Sequence, residues 1–163
     1  MVKSNRIIKS SAYRGLTRIA KRKIYASKKV KRQGFTIADN GYKVRHGTSK
    51  AEEVWLNKLN VPIRSKVLIL FGKTYVIDGF DPTTNTCFEY NGEAYHGSHK
   101  VYPINRDQKT WMGKSPNELY YGTIQRYELL RNCGMKVFFV WEKDFKSGKT
   151  MGRFYRGPGD NLY

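Results

Sequence analysis

The sequence has little cysteine and no long apolar run, and each shortage excludes a class of protein. Only two of its 163 residues are cysteines, Cys87 and Cys133, and no Cys-x-x-Cys pair occurs. A zinc knuckle is therefore not indicated, and both thiols are expected to stay reduced in an intracellular setting. No apolar stretch approaches the roughly 20 residues of a membrane-spanning helix. The N-terminus also lacks the apolar core of a secretory signal.

Acidic residues are scarce at the start of the chain. Residues 1–50 hold 15 lysines and arginines against one acid, Asp39, whereas residues 51–163 hold 16 against 12 acids. The net charge of +18 therefore indicates a basic arm on a mildly basic body. A polyanion is the natural partner, because each phosphate that a protein neutralises releases a condensed counterion. An anionic membrane surface is the alternative partner.

Residues 1–47 form the predicted arm, and they show no sustained apolar periodicity. A solvated, disordered tail is one interpretation. A largely flexible arm that lies along DNA and partly orders on binding is the other, and we favour it. The arm residues predicted to contact nucleic acid are Arg14, Arg18, Lys21, Arg22, Lys28, Lys29, Lys31 and Arg32.

Regular secondary structure is predicted between residues 48 and 145. Ser49 with Glu52, and Ser115 with Glu118, have the spacing of a capping box, in which each side chain bonds the other residue's backbone N–H. The predicted elements are a helix at 48–60, strands at 67–71, 74–78 and 86–91, a helix at 115–133 and a strand at 135–141. This order predicts an α/β fold around a mixed sheet whose first three strands form an antiparallel meander. Residues 146–163 are predicted to be an irregular tail.

The stretch 75–97 carries the candidate chemistry. One apolar run ends at Asp78, the turn Asp-Pro-Thr-Thr-Asn follows, a second apolar run carries Glu89, and His96 comes soon after. A hairpin would hold the two carboxylates near one end with an imidazole close by, which is the layout of a divalent-metal site that cuts phosphodiesters. Each residue alone also fits a structural role: a turn cap, an exposed strand carboxylate and a loop histidine. Their joint occurrence favours the metal site.

Three neighbouring side chains are less decisive. Glu52 lies on the core-facing side of the first helix, so it either serves only the capping box or also reaches into a site. Asp81 is expected to stabilise the turn, because aspartate at that position needs no catalytic explanation. His99 is expected to be a bystander.

The order of elements and the carboxylate motif resemble the PD-(D/E)xK nuclease superfamily. Asp78 matches its first acid, which ends the second strand. Glu89-Tyr90-Asn91 occupies the place of (D/E)-x-K, with asparagine for lysine. The resemblance implies a restriction-endonuclease-like core made of a helix, a three-strand meander, a helix and a strand.

Residues 49–142 look more closely like the very-short-patch-repair branch, which includes homing-type endonucleases of phages and large viruses. Asn91-Gly-Glu-Ala-Tyr-His96-Gly resembles its His-Gly-x-x-Trp-His motif, and residues 135–142 end in Val-Trp-Glu like its last strand. Glu52 falls where that branch has a helical glutamate. An aspartate that the branch uses on its second helix falls near Thr123, with Arg126 one turn further on. The branch's zinc cysteines are absent, so no structural zinc is expected, and their places hold Glu93, Ser98, Lys100 and Lys143.

The resemblance implies a bound Mg²⁺ or Mn²⁺ ion. Asp78, Glu89 and the Tyr90 backbone carbonyl would be its ligands, with positions left for water and phosphate. His96 would act as general acid or base. Glu52 would be an outer or second ligand.

Other predicted contacts go to the phosphates of duplex DNA. Asn91 would hydrogen-bond a phosphate oxygen without supplying charge. Lys109, Lys114 and Arg126 would position the DNA without reading its sequence.

The expected function is that of a Mg²⁺-dependent endodeoxyribonuclease that nicks or cleaves duplex DNA, either as a single chain or as a homodimer. A rival interpretation is a DNA-binding or virion-packing protein that keeps the fold without cutting. The asparagine at position 91 and the size of the arm favour that rival. A third interpretation, an RNA-binding accessory protein, rests only on charge and aromatic content.

Overall fold

The computed structural model describes residues 33–37 and 43–163, with side chains from residue 47 onward. The eight predicted DNA contacts of the arm, from Arg14 to Arg32, lie outside the described residues. Strand β1 (Gln33–Ile37) pairs with β2 (Lys43–Gly47) in a two-stranded sheet. Neither strand was predicted from sequence, because the alternation of Phe35 with Ile37 in β1 and the single Val44 of β2 are too short to indicate a strand.

The main body has the predicted order of helix, three strands, helix and strand. Its elements are α1 (Lys50–Lys58), β3 (Ile63–Leu70), β4 (Lys73–Asp81), β5 (Thr86–Asn91), α2 (Pro116–Asn132), β6 (Lys136–Trp141), α3 (Glu142–Lys146) and β7 (Arg153–Phe154). The five strands form one mixed sheet in the order β3-β4-β5-β6-β7. Strands β5 and β6 are parallel, and the other three pairs are antiparallel. The α/β class and the meander are thus confirmed.

Both long helices begin as their sequences predict. Ser49 and Glu52 form a complete capping box at α1, and Ser115 and Glu118 form one at α2, where Pro116 occupies the first turn. These side chains bond backbone N–H groups that have no partner within the helix. Gly134 follows α2 with a positive φ of 81°, a conformation that glycine adopts without a Cβ penalty.

The sheet is covered on both faces. Helix α2 packs on one face, where Cys87, Tyr127, Leu130, Val137 and Phe139 are buried. On the other face a second cluster surrounds α1 and includes Trp55, Leu56, Val61, Tyr90 and Val140, with Phe145 of α3 against it. Strand β6 contributes to both clusters, so it is buried on both faces, in keeping with its continuous apolar sequence.

The C-terminal tail is only partly irregular. Strand β7 extends the sheet beside β6, and Tyr155 and Leu162 are buried in the core. The ring of Tyr163 lies parallel to those of Trp141 and Tyr120, with centroids 5.3 and 5.4 Å away. Isolated apolar residues among glycines and charges give no periodic signal, so the sequence did not predict this contribution to the core. Among the described helices, none is long and apolar enough to cross a membrane.

Candidate active site

The candidate site lies where β4 and β5 separate. Their antiparallel pairing runs from Asp81 with Thr86 to Gly79 with Phe88, and it ends there. One step further, continued pairing would set Asp78 opposite Glu89. The strands diverge instead, because β4 stays paired with β3 while β5 follows β6. The Asp78 carboxylate accepts the Tyr90 N–H at 2.8 Å, which replaces the next backbone hydrogen bond of the ladder.

A cleft of about 310 Å³ opens at this divergence. Its walls come from α1, β4, β5, the loop after β5, α2 and α3. The side chains with chemical capacity that line it are Glu52, Asp78, Glu89, His96, Arg126 and Glu142. The predicted ligands, the predicted acid or base and one predicted phosphate contact are thus brought together from α1, β4, β5, the loop after β5 and α2.

Glu89 is paired with Arg126 in this cleft. The Glu89 Oε1 atom accepts from Arg126 Nη2 at 2.8 Å and from Nε at 3.2 Å, and the Nη2 group also donates to the Val76 carbonyl. The Glu89 side chain is only 4% exposed, and burial raises its pKa although the guanidinium opposes that rise. Glu89 is therefore a buried carboxylate with one occupied oxygen, and not the exposed strand residue that was its alternative interpretation.

Asp78 and Glu52 share this environment. The pKa of Asp78 is raised well above its usual value by burial and then by the Glu89 and Glu52 carboxylates. The pKa of Glu52 is raised to about 7, mainly by burial, with further contributions from Glu89 and Glu53. Glu52 Oε2 accepts the Ser49 N–H at 3.2 Å, and the same side chain lines the cleft. Glu52 therefore has both of the roles that its sequence position allowed.

The charges in the cleft suit a divalent cation. Each of Glu52, Asp78 and Glu89 has one carboxylate oxygen bonded to a protein donor. Burial is the main cause of all three raised pKa values, so a cation bound between these carboxylates would favour their charged forms. Among the described residues, no group of three or more His, Cys, Asp or Glu side chains is close enough together to hold a metal ion by itself. Mg²⁺ is commonly held by one or two carboxylates and keeps several waters, so the carboxylates fit it without such a cage.

His96 is held on the α2 side of the cleft. Its Nδ1 atom lies 2.9 Å from Thr123 Oγ1, and its ring lies edge-on to Trp141. Burial and then Arg126 lower the pKa of His96 to about 4. The imidazole is therefore uncharged at neutral pH, as a proton acceptor must be.

The loop that carries His96 is docked closely on the start of α2. Arg106 donates from Nη2 to the Gly97 carbonyl at 2.9 Å and from Nε to Asn117 Oδ1 at 2.9 Å. At Gly97, where φ is +65°, a Cβ would lie 2.0 Å from the Pro116 carbonyl oxygen. A glycine is thus required next to His96 for both its conformation and its lack of volume.

Gly97→Ala is expected to lower the free energy of unfolding by about 2–5 kcal/mol, the sum of a left-handed backbone cost and an overpacking cost. Gly113→Ala is the matched control, since Gly113 also has positive φ but has open space around it. The control should lose only the backbone cost of about 1–2 kcal/mol. Urea unfolding curves measure both variants, and equal losses would contradict the close docking of this loop.

Three predicted contacts lie outside the cleft. Asn91 is fully buried on the α2 face of β5, where its Oδ1 accepts the Tyr127 hydroxyl at 2.9 Å, and its Nδ2 has no partner. Lys109 and Lys114 are exposed on the loop at 104–114. This loop also carries Trp111, whose exposed ring lies edge-on to Tyr95 at the rim of the cleft.

The remaining predicted positions have structural partners. Asp81 accepts hydrogen bonds from the Thr83 N–H and hydroxyl at 2.9 and 2.7 Å, which confirms its role in the turn. His99 lies against the rings of Tyr163 and Tyr120 and does not line the cleft.

The four residues at the expected zinc positions form two hydrogen bonds among themselves. Glu93 accepts the Lys143 N–H at 2.7 Å, and Ser98 accepts the Lys100 N–H at 3.2 Å. Both Glu93 and Ser98 are buried. These bonds join the loop after β5 to the start of α3 and stabilise the loop itself.

Two side chains at or beside the cleft were not among the residues predicted from sequence to form the site. Thr123 was noted only for its position, although it contacts His96, and Glu142 was noted only as the end of the Val-Trp-Glu match. The helical spacing of Thr123 and Arg126 was the available signal, since residues three apart share a helix face.

Comparisons with protein-family models, curated proteins and solved structures found no match to this chain. The functional conclusion therefore depends on the residues of the cleft and on the motif that they resemble.

Proposed function

We propose that this protein is a divalent-metal-dependent DNA endonuclease with a PD-(D/E)xK-type core. One observation carries the proposal: Asp78 and Glu89 lie together where β4 and β5 diverge, beside the uncharged His96. The cleft around them has four carboxylates, those of Glu52, Asp78, Glu89 and Glu142, and one cationic side chain, that of Arg126. Such a cleft repels a phosphodiester unless a cation is bound in it. An acidic cleft in a protein of net charge +18 is therefore best explained by a bound metal ion that receives a phosphate.

The proposed chemistry assigns one role to each side chain. Asp78, Glu89 and the Tyr90 carbonyl would hold the cation, and Glu52 would bind through water or as a further ligand. When bound, a divalent cation supplies positive charge to the attacked phosphate and acidity to the attacking water. His96 accepts the proton of that water, for which a neutral imidazole is suited.

Arg126 takes the role for which the motif uses lysine. Asn91 occupies the lysine position but bonds to Tyr127 in the core, whereas Arg126 lies in the cleft on Glu89. Its Nη1 group makes no hydrogen bond within the described residues, so it can donate to a phosphate oxygen. A fixed guanidinium beside the reacting phosphate stabilises the negative charge that develops in the transition state.

Incubation of the purified full-length protein with supercoiled plasmid tests the proposal. Nicked or linear plasmid is expected with Mg²⁺ or Mn²⁺ and none with EDTA, because the chemistry depends on the cation. Binding is followed in parallel by gel shift. Plasmid that is shifted but never nicked with either metal would contradict the proposal.

The rival function is DNA binding or genome packing without cleavage. The contacts that favour it are the Arg126–Glu89 ion pair, which competes with a metal ion for Glu89, and the burial of Asn91. Binding without nicking in the plasmid assay is the outcome that this rival predicts.

The arm is proposed to supply most of the affinity for DNA. Residues 1–32 contain 12 lysines and arginines and no acid. Deleting them is expected to weaken binding and to flatten the dependence of log Kd on log salt, because fewer counterions are released. A full-length variant with these 12 residues changed to glutamine should behave like the deletion. An unchanged salt slope would contradict the role of the arm, and nicking at saturating protein should persist in both variants.

A further inference from the structure

The hydroxyl of Thr123 lies between two groups that both constrain its proton. Its Oγ1 atom is 2.9 Å from His96 Nδ1 and 3.0 Å from the backbone carbonyl oxygen of Leu119. A hydroxyl has one proton to donate, and a carbonyl oxygen can only accept. Both short contacts contain a proton only if the hydroxyl donates to Leu119 and Oγ1 accepts from His96. His96 must donate from Nδ1 to satisfy this arrangement.

No other partner in the described part of the chain competes for this hydroxyl. Thr123 is 5% exposed, so bulk water does not reach it freely, and a bond from a helical threonine back to the carbonyl four residues earlier is a common arrangement. The His96 Nε2 atom makes no hydrogen bond to the described part of the chain, and His96 lines the cleft. The two ring nitrogens of His96 thus have different environments: Nδ1 contacts Thr123 on α2, whereas Nε2 has no protein partner in the described part of the chain and is on the cleft side.

We propose that Thr123 is a positioning residue that holds His96 in the Nδ1-protonated tautomer and so leaves the Nε2 lone pair as the proton acceptor at the cleft. The inference rests on the proposed function. In the hydrolysis, the water oxygen forms a bond to phosphorus while the bond from phosphorus to the leaving sugar oxygen breaks. The water proton passes to Nε2, and the leaving oxygen takes a proton from solvent. With the opposite tautomer, Nε2 would carry a proton and could not accept one.

The charged groups around His96 decide whether the ring stays neutral. The cleft presents Arg126 from α2, Asp78 from β4, Glu89 from β5, Glu52 from α1 and Glu142 from α3. The carboxylates favour an imidazolium and Arg126 disfavours it. Burial and Arg126 prevail, so the pKa of His96 falls. Because threonine is uncharged, it fixes the tautomer without stabilising the imidazolium.

Nitrogen-15 NMR of full-length protein tests the tautomer directly, since protonated and unprotonated ring nitrogens have well-separated shifts. The chain has three histidines, and the resonances lost in His96→Asn identify the one in question. The expected result is a protonated Nδ1 and an unprotonated Nε2 at pH 7. A protonated Nε2 in the wild-type protein would overturn the proposal without recourse to any variant.

Two substitutions at Thr123 test its role in the reaction. Thr123→Val removes the acceptor with little change in shape, and it is expected to shift His96 towards the Nε2-protonated form and to lower kcat about 10–100-fold at unchanged KM. Thr123→Ser keeps the hydroxyl and should retain both tautomer and kcat. An unchanged tautomer in a folded Thr123→Val protein would overturn the proposal.

The tautomer and the endonuclease proposal can fail separately. A wild-type protein that never nicks but has a protonated Nδ1 at His96 would contradict the proposed function and support the tautomer assignment. A protein that nicks, with Thr123→Val as active as wild type, would support the function and overturn the role of Thr123.

Discussion

Asp78→Asn is expected to abolish nicking and to leave DNA binding unchanged. Asparagine keeps an oxygen that can accept the Tyr90 N–H, so the divergence of β4 and β5 is preserved. What is lost is a charged ligand, and metal-ion catalysis supplies several kcal/mol of transition-state stabilisation. A loss of about 4 kcal/mol corresponds to a rate about 1,000-fold lower.

Asp81→Asn is the matched control for this change. It is the same substitution three residues away, at a carboxylate that serves an exposed turn through Thr83 and Thr84. Both variants are purified identically and assayed on supercoiled plasmid with Mg²⁺, with gel shifts as the binding measurement. The control should nick at the wild-type rate. Nicking by Asp78→Asn within threefold of wild type would place the activity elsewhere, in another site or in a contaminating nuclease.

The sequence could predict the parts of the site that are local. Asp78 and Glu89 lie on consecutive strands joined by a strong turn signal, so the hairpin brings them together without any long-range information. Glu52 was limited to the core-facing side of its helix by periodicity, and both capping boxes follow from residue spacing alone.

The pairing of Glu89 could not be predicted in the same way. The chain has 31 lysines and arginines, and nothing in their order shows that Arg126, 37 positions away, contacts Glu89. That contact depends on how α2 lies across the sheet, which follows from the packing of Tyr127 and Leu130. Arg126 was predicted to bind phosphate, and its ion pair with a carboxylate was not foreseen.

The burial of Asn91 could not be predicted from the sequence either. Because side chains alternate along a strand, Asn91 lies on the same face of β5 as Glu89. Whether residue 91 on that face lines the cleft or is buried in the core depends on where α2 packs. Tyr127 fills the space there and donates its hydroxyl to the amide. Asn91 was thus predicted to contact a phosphate because of its place in the motif, whereas its side chain is buried and bonds to Tyr127 in the core.

Arg126→Met tests the electrostatics of the cleft independently of activity. The change leaves Glu89, 4% exposed, without its partner, and it removes the Nη2 donor from the Val76 carbonyl. Removing one member of a buried ion pair typically costs about 3–5 kcal/mol, and we expect a loss of this size in the free energy of unfolding at pH 8. Arg131→Met on the same helix is the control, since Arg131 pairs with Glu128 at 3.7 Å in a half-exposed pair and lies over the ring of Tyr155, away from the cleft.

The loss in Arg126→Met should shrink as the pH falls from 8 to 5. The raised pKa values of Glu52, Asp78 and Glu89 mean that the folded protein holds protons that the unfolded chain releases, so stability gained from these acids increases as the pH falls. Without the guanidinium this gain is larger, because Arg126 opposes the rise at Glu89 and Asp78. His96 has the opposite sign in wild type, since its pKa of about 4 costs stability below its unfolded value near 6.5. Without Arg126 the pKa of His96 is lowered less, so His96 costs the variant less stability at low pH. Both effects therefore reduce the difference in unfolding free energy between Arg126→Met and wild type as the pH falls.

Mg²⁺ should restore part of the stability that Arg126→Met loses at pH 8. A cation held by Asp78 and Glu89 replaces the positive charge that the guanidinium supplied, and a ligand that binds only the folded state stabilises it. The increase in Tm on adding Mg²⁺ should therefore be larger in Arg126→Met than in wild type or Arg131→Met, and it should disappear at pH 5, where protons compete for the same carboxylates. Equal shifts in all three proteins at pH 8 would show that Glu89 does not bind the cation, and the Asp78–Glu89 metal site would have to be abandoned.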